Sequence, residues 1–231
     1  VFKLNPDGDF IWSKRFGGSL GDEGSWVKIK TNGNIVTGGS SYSNDQDVPC
    51  NYGDKDDWIL ELSPDGEIVN NKVLGTVGYQ QTYSGIATSD GGVLIASTTM
   101  EVGGMITGTC YGLYDTWLIK LDKDNNIEWQ GLYGGDDEDD FVMDIIELKD
   151  GYVLITNTRS TTDHTAEGGC MKPDISRDLW LFKIDLLGNF KWGRCIGIPD
   201  RQLVPTAFQT WNLPADFKGL FPMEDGGFMV F

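Results

Sequence analysis

The stretch that decides the fold is Asp115-Thr116-Trp117-Leu118-Ile119-Lys120-Leu121, in which an Asp-x-Trp motif leads into an apolar strand pattern. The motif also occurs at residues 56–62 and 178–184, with steps of 59 and 63 residues from one tryptophan to the next. An alternation with a period of two is typical of a β-strand, and a pattern that returns at a nearly fixed interval indicates a repeat architecture. We therefore predict that one β-strand unit is copied along the chain.

Tight turns divide each unit into four strands. Each motif strand runs into a turn that suits a hairpin, and these turns are Pro64-Asp65-Gly66, Asp124-Asn125-Asn126 and Leu187-Gly188, with Pro6-Asp7-Gly8 after the similar strand Val1-Phe2-Lys3-Leu4. A second turn recurs at Asn32-Gly33, Asp90-Gly91, Asp150-Gly151 and Asp225-Gly226. Four short strands in about 60 residues, without helical periodicity, predict an all-β fold, a β-propeller of four-stranded antiparallel blades with about four blade units.

The turns also predict how the chain divides into blades, whose strands we label a to d. Residues 1–18 hold strands c and d of one blade, and residues 198–231 hold strands a and b of a further blade with an inserted loop. Whole blades span residues 19–75, 76–135 and 136–197. Pairing of the two half-blades would close a four-bladed ring, and a larger ring completed by further chain is the alternative. Either arrangement removes open sheet edges.

Six tryptophans recur at fixed places in the units. They are Trp58, Trp117 and Trp180 in the motif strands, and Trp12, Trp129 and Trp192 in the strands that follow. A binding site occurs once, whereas a packing requirement occurs in every blade. We therefore interpret these residues as packing between blades rather than as sugar platforms, and the aspartate of each motif as a turn-forming residue at the start of the strand.

The best-preserved unit resembles a known type of repeat. Its string runs from Asp115 through Trp129 to Gly134-Gly135 and continues at Asp150-Gly151-Tyr152. It is similar to the propeller-like repeats, about 60 residues long, of secreted Bacteroidetes proteins, which often carry a C-terminal type IX secretion sorting domain. The resemblance implies a propeller that is secreted or held at the outer cell surface, and it implies no catalytic residues. The sequence departs from the pattern at Asn70, where tryptophan is usual, and at residues 198–223, where the unit is longer; it contains no sorting domain.

Charge narrows the classes of partner. The formal net charge is −17, which argues against nucleic acid and anionic membrane surfaces because a basic stripe is required to neutralise phosphates. No apolar stretch reaches the roughly 18 residues of a membrane span, so we expect no membrane insertion. An acidic chain favours solubility, divalent cations or basic partners.

Carboxylates concentrate in the long connections between strands b and c. Asp45, Asp47 and Asp54 lie in the first of these loops, and clustered carboxylates with backbone carbonyls suit the six to eight oxygen ligands of calcium. The spacing does not match an EF-hand. Calcium is therefore a candidate ligand, the alternative is a solvated acidic rim, and we expect no other cofactor.

A long insertion in the last unit carries several aromatic residues. Between Gly197 and Gly226 the unit is longer than its counterparts, and it holds Phe208, Trp211, Phe217 and Phe221. Aromatic rings on a loop suit contact with a ligand or partner. Packing against the propeller is the alternative.

Cysteine and histidine give no catalytic signature. Cys50, Cys110 and Cys170 occupy the b–c loops, where they serve as free packing residues, as one disulfide or as part of a metal site, and Cys195 falls in a core strand. His164 is the only histidine, and no nucleophile motif surrounds it. We predict no catalytic residues.

Loop length points to one functional face. The a–b and c–d turns are tight, whereas the b–c connections 41–55, 99–114 and 158–177 are long, and binding sites concentrate on long loops of a rigid scaffold. We predict a non-enzymatic, extracytoplasmic binding, adhesion or scaffold module that presents acidic loops to a protein or glycan. The alternatives are an accessory subunit of a larger cell-surface complex and a polysaccharide-active propeller enzyme.

Overall fold

The computed structural model describes residues 1–135, 141–158, 178–196 and 219–230. Within these ranges the chain forms sixteen β-strands and no helix, so no helix there could cross a membrane. The strands are β1 (Phe2–Leu4), β2 (Phe10–Ser13), β3 (Asp22–Ile29), β4 (Ile35–Ser41), β5 (Asp56–Leu62), β6 (Ile68–Leu74), β7 (Gln80–Ala87), β8 (Val93–Thr99), β9 (Asp115–Leu121), β10 (Ile127–Tyr133), β11 (Phe141–Leu148), β12 (Gly151–Thr158), β13 (Asp178–Ile184), β14 (Phe190–Ile196), β15 (Leu220–Pro222) and β16 (Phe228–Val230).

Twelve of these strands form three four-stranded antiparallel sheets. The first sheet has the order β3-β4-β5-β6, the second β7-β8-β9-β10 and the third β11-β12-β13-β14. Two further hairpins, β1–β2 and β15–β16, stand at the two ends of this series. The prediction of an all-β propeller built from four-stranded antiparallel blades is confirmed. Across the described residues the sheets do not close into a ring.

The sheets stack face to face in chain order. Strand β7 packs against β3, β4 and β5 of the first sheet, β11 packs against β7, β8 and β9 of the second, and β15 packs against β11. One buried cluster joins the first and second sheets and contains Val36, Ile59 and Trp117, and another joins the second and third sheets and contains Leu118, Trp180 and Phe182. The core therefore consists of the layers between neighbouring sheets.

The motif tryptophans lie in these layers. Trp117 is fully buried and donates its indole N–H to Oε1 of Gln130 at 2.9 Å. Trp58 does the same to Oδ1 of Asn71 at 2.8 Å, while Trp180 stacks on Phe182 with ring centroids 4.3 Å apart. Trp117 thus packs between the first and second sheets, Trp180 between the second and third, and Trp58 between the first hairpin and the first sheet, as repeated structural residues must.

The tryptophans of the second set link their strands to the sheet or hairpin that follows in the chain. Trp12 on β2 donates its indole N–H to the carbonyl of Pro64 at 3.2 Å, and its ring covers Gly66. Trp192 on β14 stacks on Phe228 of the last hairpin, with centroids 6.2 Å apart. These contacts run from one sheet to the one that follows it in the chain.

At the contact between the first and second sheets, which we call the polar joint, polar side chains replace the tryptophan. At the position of the linking tryptophan the first sheet has Asn70, and the facing turn of the second sheet has Asn125 with a φ of 64° in place of a glycine. Glu61 accepts hydrogen bonds there from Nζ of Lys30 at 2.8 Å and from Nδ2 of Asn125 at 2.8 Å. The Nζ of Lys72 donates to the Asn125 carbonyl at 2.6 Å. The departure noted at Asn70 is therefore matched by changes in the residues that surround it.

Candidate binding site on the loop face

One edge of the stacked sheets carries the long connections, and we call it the loop face. Because the strands are antiparallel, the ends of β4, β6 and β8 and the starts of β5, β7 and β9 meet at this edge. The connections that it bears within the described residues include 14–21, 42–55, 75–79 and 100–114. The tight hairpin turns lie at the opposite edge, where the chain has little room to form a site.

Five aromatic side chains lie at the loop face in two neighbouring groups, and we call them together the aromatic stripe: Tyr42 and Tyr79 beside Lys55, and Tyr83 and Tyr114 beside Phe141. The ring of Phe141 lies 5.1 Å from that of Tyr83 and 5.9 Å from that of Tyr114, centroid to centroid. Tyr42 is 37% exposed and the other four are half-buried. The stripe therefore draws on strands and connections of all three sheets, and none of its five residues is fully buried.

A buried lysine supports one end of the stripe. Nζ of Lys55 lies 5.5 Å from the ring centroid of Tyr42 and 5.4 Å from that of Tyr79, a distance at which the ammonium is attracted by the ring faces. The same Nζ forms an ion pair with Oε2 of Glu23 at 2.8 Å, and the lysine side chain is only 3% exposed. Lys55 thus contacts both tyrosine rings and pairs with Glu23, whose side chain is 58% exposed.

The tyrosine hydroxyls at this end stay protonated. Burial raises the pKa of Tyr79, and the neighbouring Tyr42 and Glu23 raise it further. Burial, followed by Asp54 and Glu23, also raises the pKa of Tyr42. Tyr79 donates its hydroxyl proton to Oε1 of Gln81. At neutral pH these side chains therefore offer uncharged rings with hydroxyl groups at their edges.

The motif aspartates form the floor under the loops. Oδ2 of Asp56 accepts the backbone N–H of Tyr52 at 2.5 Å, and Oδ2 of Asp115 accepts that of Tyr111 at 2.6 Å. Each carboxylate thereby closes the turn that enters strand c, as we expected from the motif. Both side chains are fully buried, which separates them from any ligand on the surface.

Asp57 is a buried carboxyl group that occurs only in the first sheet. The equivalent positions of the second and third sheets hold Thr116 and Leu179. Neither of the Asp57 oxygens makes a hydrogen bond of normal geometry. Burial raises its pKa to about 8, the neighbouring Asp56 carboxylate adds to this rise, and the Ser97 hydroxyl only partly opposes it. Asp57 therefore affects stability rather than the surface chemistry of the loop face.

The proposed calcium residues have protein partners. Oδ1 of Asp45 accepts the backbone N–H of Ser19 at 2.8 Å, and Oδ2 of Asp47 accepts that of Gly17 at 3.2 Å. Asp54 lies on the surface of the same loop. Among the described residues no group of three or more His, Cys, Asp or Glu side chains is arranged to hold a metal ion. The contacts of Asp45 and Asp47 indicate a role in tying the loop to the preceding connection.

Three of the four residues predicted for the partner loop, Phe208, Trp211 and Phe217, lie outside the described residues. His164 and Cys170 also lie outside them. Phe221 is described, and it lies in strand β15 rather than in a loop, with 40% of its surface exposed.

The cysteines differ in state. Cys50 and Cys110 are free and half-buried. Burial raises the pKa of Cys110 to about 11, and the nearby Asp115 adds to the rise, so this thiol is a poor nucleophile. Cys195 packs against the core, as we expected, and is also disulfide-bonded, which the sequence did not predict.

A cavity of about 160 Å³ lies on the outer side of the first sheet, beside Trp58, Gly38 and Gly39. On the second sheet the equivalent side is covered by the strands of the first sheet, where Trp26 packs against Gly85. Further along strand β3 of the first sheet, Val27 is 54% and Ile29 is 64% exposed. We therefore assign this cavity to blade packing and not to a ligand.

Sequence reasoning missed the aromatic stripe, because each of its members occurs once and in no shared motif. One signal was present in the sequence. The position directly before the motif aspartate holds Lys55 in one unit and Tyr114 in the next, so a position that is adjacent to an invariant feature of the repeat varies in chemical type. Variable positions next to fixed ones are where a repeat scaffold builds a site.

Comparison with known proteins gives little further information. No protein-family model matches the chain, and no curated protein sequence matches it. Among solved structures, an apocarotenoid oxygenase of Synechocystis with a Glu-to-Asp substitution aligns with a TM-score of 0.46 and 16% sequence identity, over 84% of this chain and 44% of the oxygenase. A chimera of that oxygenase with RPE65 aligns with a TM-score of 0.45 and 16% identity over the same shares. The chain thus spans less than half the length of these enzymes, and likenesses of this degree carry no argument about its function.

Proposed function

We propose that this protein is a non-enzymatic, extracytoplasmic binding module whose loop face holds a glycan or protein ligand. The observation that carries the proposal is the aromatic stripe, in which three sheets contribute partly exposed rings to one surface. Aromatic side chains with a polar edge suit surfaces that are apolar at one end and hydrated at the other. Binding sites combine such apolar area with a few placed polar groups.

The placement of titratable groups favours binding over catalysis. The carboxyl and thiol groups with strongly raised pKa values, Asp56, Asp57 and Cys110, lie in the sheets or against their cores rather than among the exposed rings. An enzyme needs its acid or base within hydrogen-bond reach of the substrate. Of the charged side chains that border the stripe, Glu23 and Lys55 are paired with each other, and Asp54 is exposed to solvent.

Location outside the cytoplasm is part of the proposal. The disulfide of Cys195 supports it, because disulfides persist in oxidising compartments. The strongly acidic chain is compatible with it as well.

A second candidate is a subunit of a larger surface assembly, in which the loop face docks another protein. Large apolar residues that are exposed on this face favour it: Leu20 at 61%, Val77 at 74% and Leu113 at 52%. Exposed apolar groups of this size mark interaction surfaces when they cluster.

The test is a binding screen coupled to a turnover assay. The purified chain is immobilised and probed with a glycan array and with the surface proteins of its source cells, and each retained glycan is then incubated with the chain and analysed for cleavage. We expect a ligand to be retained without any product. Loss of retention in a Tyr42→Ala/Phe141→Ala variant would place the ligand on the stripe. Cleavage or chemical change of a retained glycan would overturn the proposal, and so would retention that is unaffected by the double variant.

A further inference from the structure

We propose that the ligand of the aromatic stripe is a neutral oligosaccharide, bound by stacking of its sugar rings on the tyrosines and phenylalanine. This inference rests on the proposed function and narrows it to one class of ligand. It is argued from the charges, the ring geometry and the polar groups of the described residues.

Lys55 already occupies the position at which a cation would bind to the stripe. Aromatic faces next to a carboxylate attract cationic groups, and here Lys55 already occupies that position between Tyr42 and Tyr79 while it pairs with Glu23. The lysine side chain is 3% exposed, whereas that of Glu23 is 58% exposed, so a competing cation would have to displace a buried ammonium group from between the two rings. This argues against a basic peptide or an amino sugar as the preferred ligand.

The overall charge of the chain disfavours anionic ligands. The chain has a formal net charge of −17, and exposed carboxylates such as Asp54 border the stripe. A field of this sign lowers the local concentration of polyanions. Uronic-acid and sulfated glycans are therefore disfavoured, which leaves an uncharged ligand.

The remaining surface suits a sugar. The rings of Tyr83 and Tyr114 flank that of Phe141, with centroids 5.1 and 5.9 Å away and planes inclined to it by 60° and 44°. They therefore offer apolar surfaces in more than one orientation, which suits sugar rings that are twisted relative to each other along a chain. A pyranose ring has an apolar face of C–H groups and an edge of hydroxyls. The hydroxyl of Tyr79 and the amide of Gln81, which are hydrogen-bonded to each other and half-buried, provide a donor and acceptors for that edge. A chain of several sugars would engage the stripe better than a monosaccharide.

The experiment measures affinity by isothermal titration against four probes: neutral cello-, xylo- or manno-oligosaccharides, oligogalacturonate, chitosan oligomers, and oligolysine. The variants are Tyr42→Ala and Phe141→Ala, with Tyr52→Ala as the matched control, because Tyr52 is an exposed tyrosine of the same face that lies outside the stripe. Thermal unfolding of each variant shows whether it has folded, and Tyr42→Ala removes a side chain at the surface, so that it serves if Phe141→Ala does not fold.

We expect at least one neutral probe to bind, with affinity that salt does not change. Each stripe variant should weaken this binding about tenfold, while Tyr52→Ala leaves it unchanged. Preferred binding of the acidic or basic probes overturns this inference but leaves the binding module in place, as does capture of a protein ligand alone. Equal loss of affinity in the Tyr52→Ala control also overturns the inference, whereas cleavage of a bound oligosaccharide overturns the proposed function as well.

Discussion

Trp129 of the second sheet donates its indole N–H to the carbonyl oxygen of Leu186 in the turn of the third sheet, at 2.9 Å. The ring covers Gly188 in the same turn, where φ is 82° and an added Cβ would lie 2.8 Å from the ring. Trp12 and Gly66 repeat this relationship between the first hairpin and the first sheet. A tryptophan and a glycine that are far apart in sequence thus form one contact, which holds neighbouring blades together.

We first predict that Trp129 and Gly188 are energetically coupled. Trp129→Ala should lower the free energy of unfolding by about 2 kcal/mol or more, because it opens a gap between sheets. Gly188→Ala should cost more than the roughly 1–2 kcal/mol of a left-handed alanine, because its Cβ meets the ring. Urea denaturation of both variants and of the double variant measures the coupling.

The matched control is Gly33→Ala. Gly33 has a φ of 85° and nothing within 4 Å of an added Cβ, so this variant has the backbone cost without the contact. If Gly188→Ala and Gly33→Ala cost the same, or if the double variant is strictly additive, the contact does not hold the joint.

Our second prediction concerns the buried ion pair of the polar joint. The side chains of Lys30 and Glu61 are 1% and 5% exposed. Burial tends to raise the pKa of Glu61, but hydrogen bonds from Asn34, Lys30 and Asn125 outweigh it and lower the pKa. Lys30→Met should therefore destabilise the protein by about 3–5 kcal/mol, since it leaves a buried carboxylate without its cation.

The double variant Lys30→Met/Glu61→Met should recover most of that loss, because no unpaired charge remains. Lys123→Met, which breaks an ion pair whose partners are 71% and 65% exposed, should leave the stability almost unchanged, because solvent screens such surface pairs. Chemical denaturation at fixed pH measures all three. A double variant as unstable as Lys30→Met alone would contradict the charge argument.

The third prediction is a pH dependence that Asp57 causes. Its pKa rises from 3.8 to about 8 on folding, so between these values the folded state holds a proton that the unfolded state lacks. Stability then falls as pH rises through this window. The test window is pH 6 to pH 8, because it lies above the folded pKa of about 6 for Asp56. In this window the free energy of unfolding of the wild type should fall by about 2 kcal/mol, whereas that of Asp57→Asn should not show this fall.

Urea denaturation at several pH values tests this, and Thr116→Asp provides the reciprocal variant. Thr116 is the fully buried equivalent of Asp57 in the second sheet, so an aspartate there should steepen the fall of stability between pH 6 and pH 8. Parallel curves for wild type and Asp57→Asn would show that this carboxyl does not titrate in the window.

Our fourth prediction concerns the carboxylates for which calcium was a candidate ligand. Asp45→Ala should destabilise the protein by about 0.5–1.5 kcal/mol, because the exposed backbone N–H of Ser19 exchanges its carboxylate partner for water. Since that bond is internal to the protein, the loss should be equal in calcium and in EDTA, as measured by thermal unfolding. A wild-type unfolding temperature that rises with calcium would instead support a metal site.

Local sequence was sufficient for the fold because each element depends on short-range preferences. The Asn-Gly and Asp-Gly turns supply the positive φ of the hairpins, as at Gly33 and Gly91, and the alternation in strands such as β9 sends successive side chains to opposite layers. The motif aspartates act on backbone groups only four residues away. Such features can be predicted from the residues alone.

The stripe and the polar joint could not be predicted in this way. Tyr42 and Phe141 are separated by 99 positions in sequence, and only the stacking of three sheets brings their surroundings together. Asn70 looked like a simple departure from the repeat, but its meaning lies in Asn125 and Glu61 on either side of the joint.

The sequence by itself determined that this protein is a repeated β-sheet unit, with tryptophans in its layers and glycines in its turns, since both follow from backbone geometry and side-chain period. The tertiary structure decided which surface offers a binding site and how one joint exchanges a tryptophan for an ion pair. The physical reason is that contacts between blades depend on side chains from different units, and their proximity is set by how the sheets stack rather than by any short stretch of the chain.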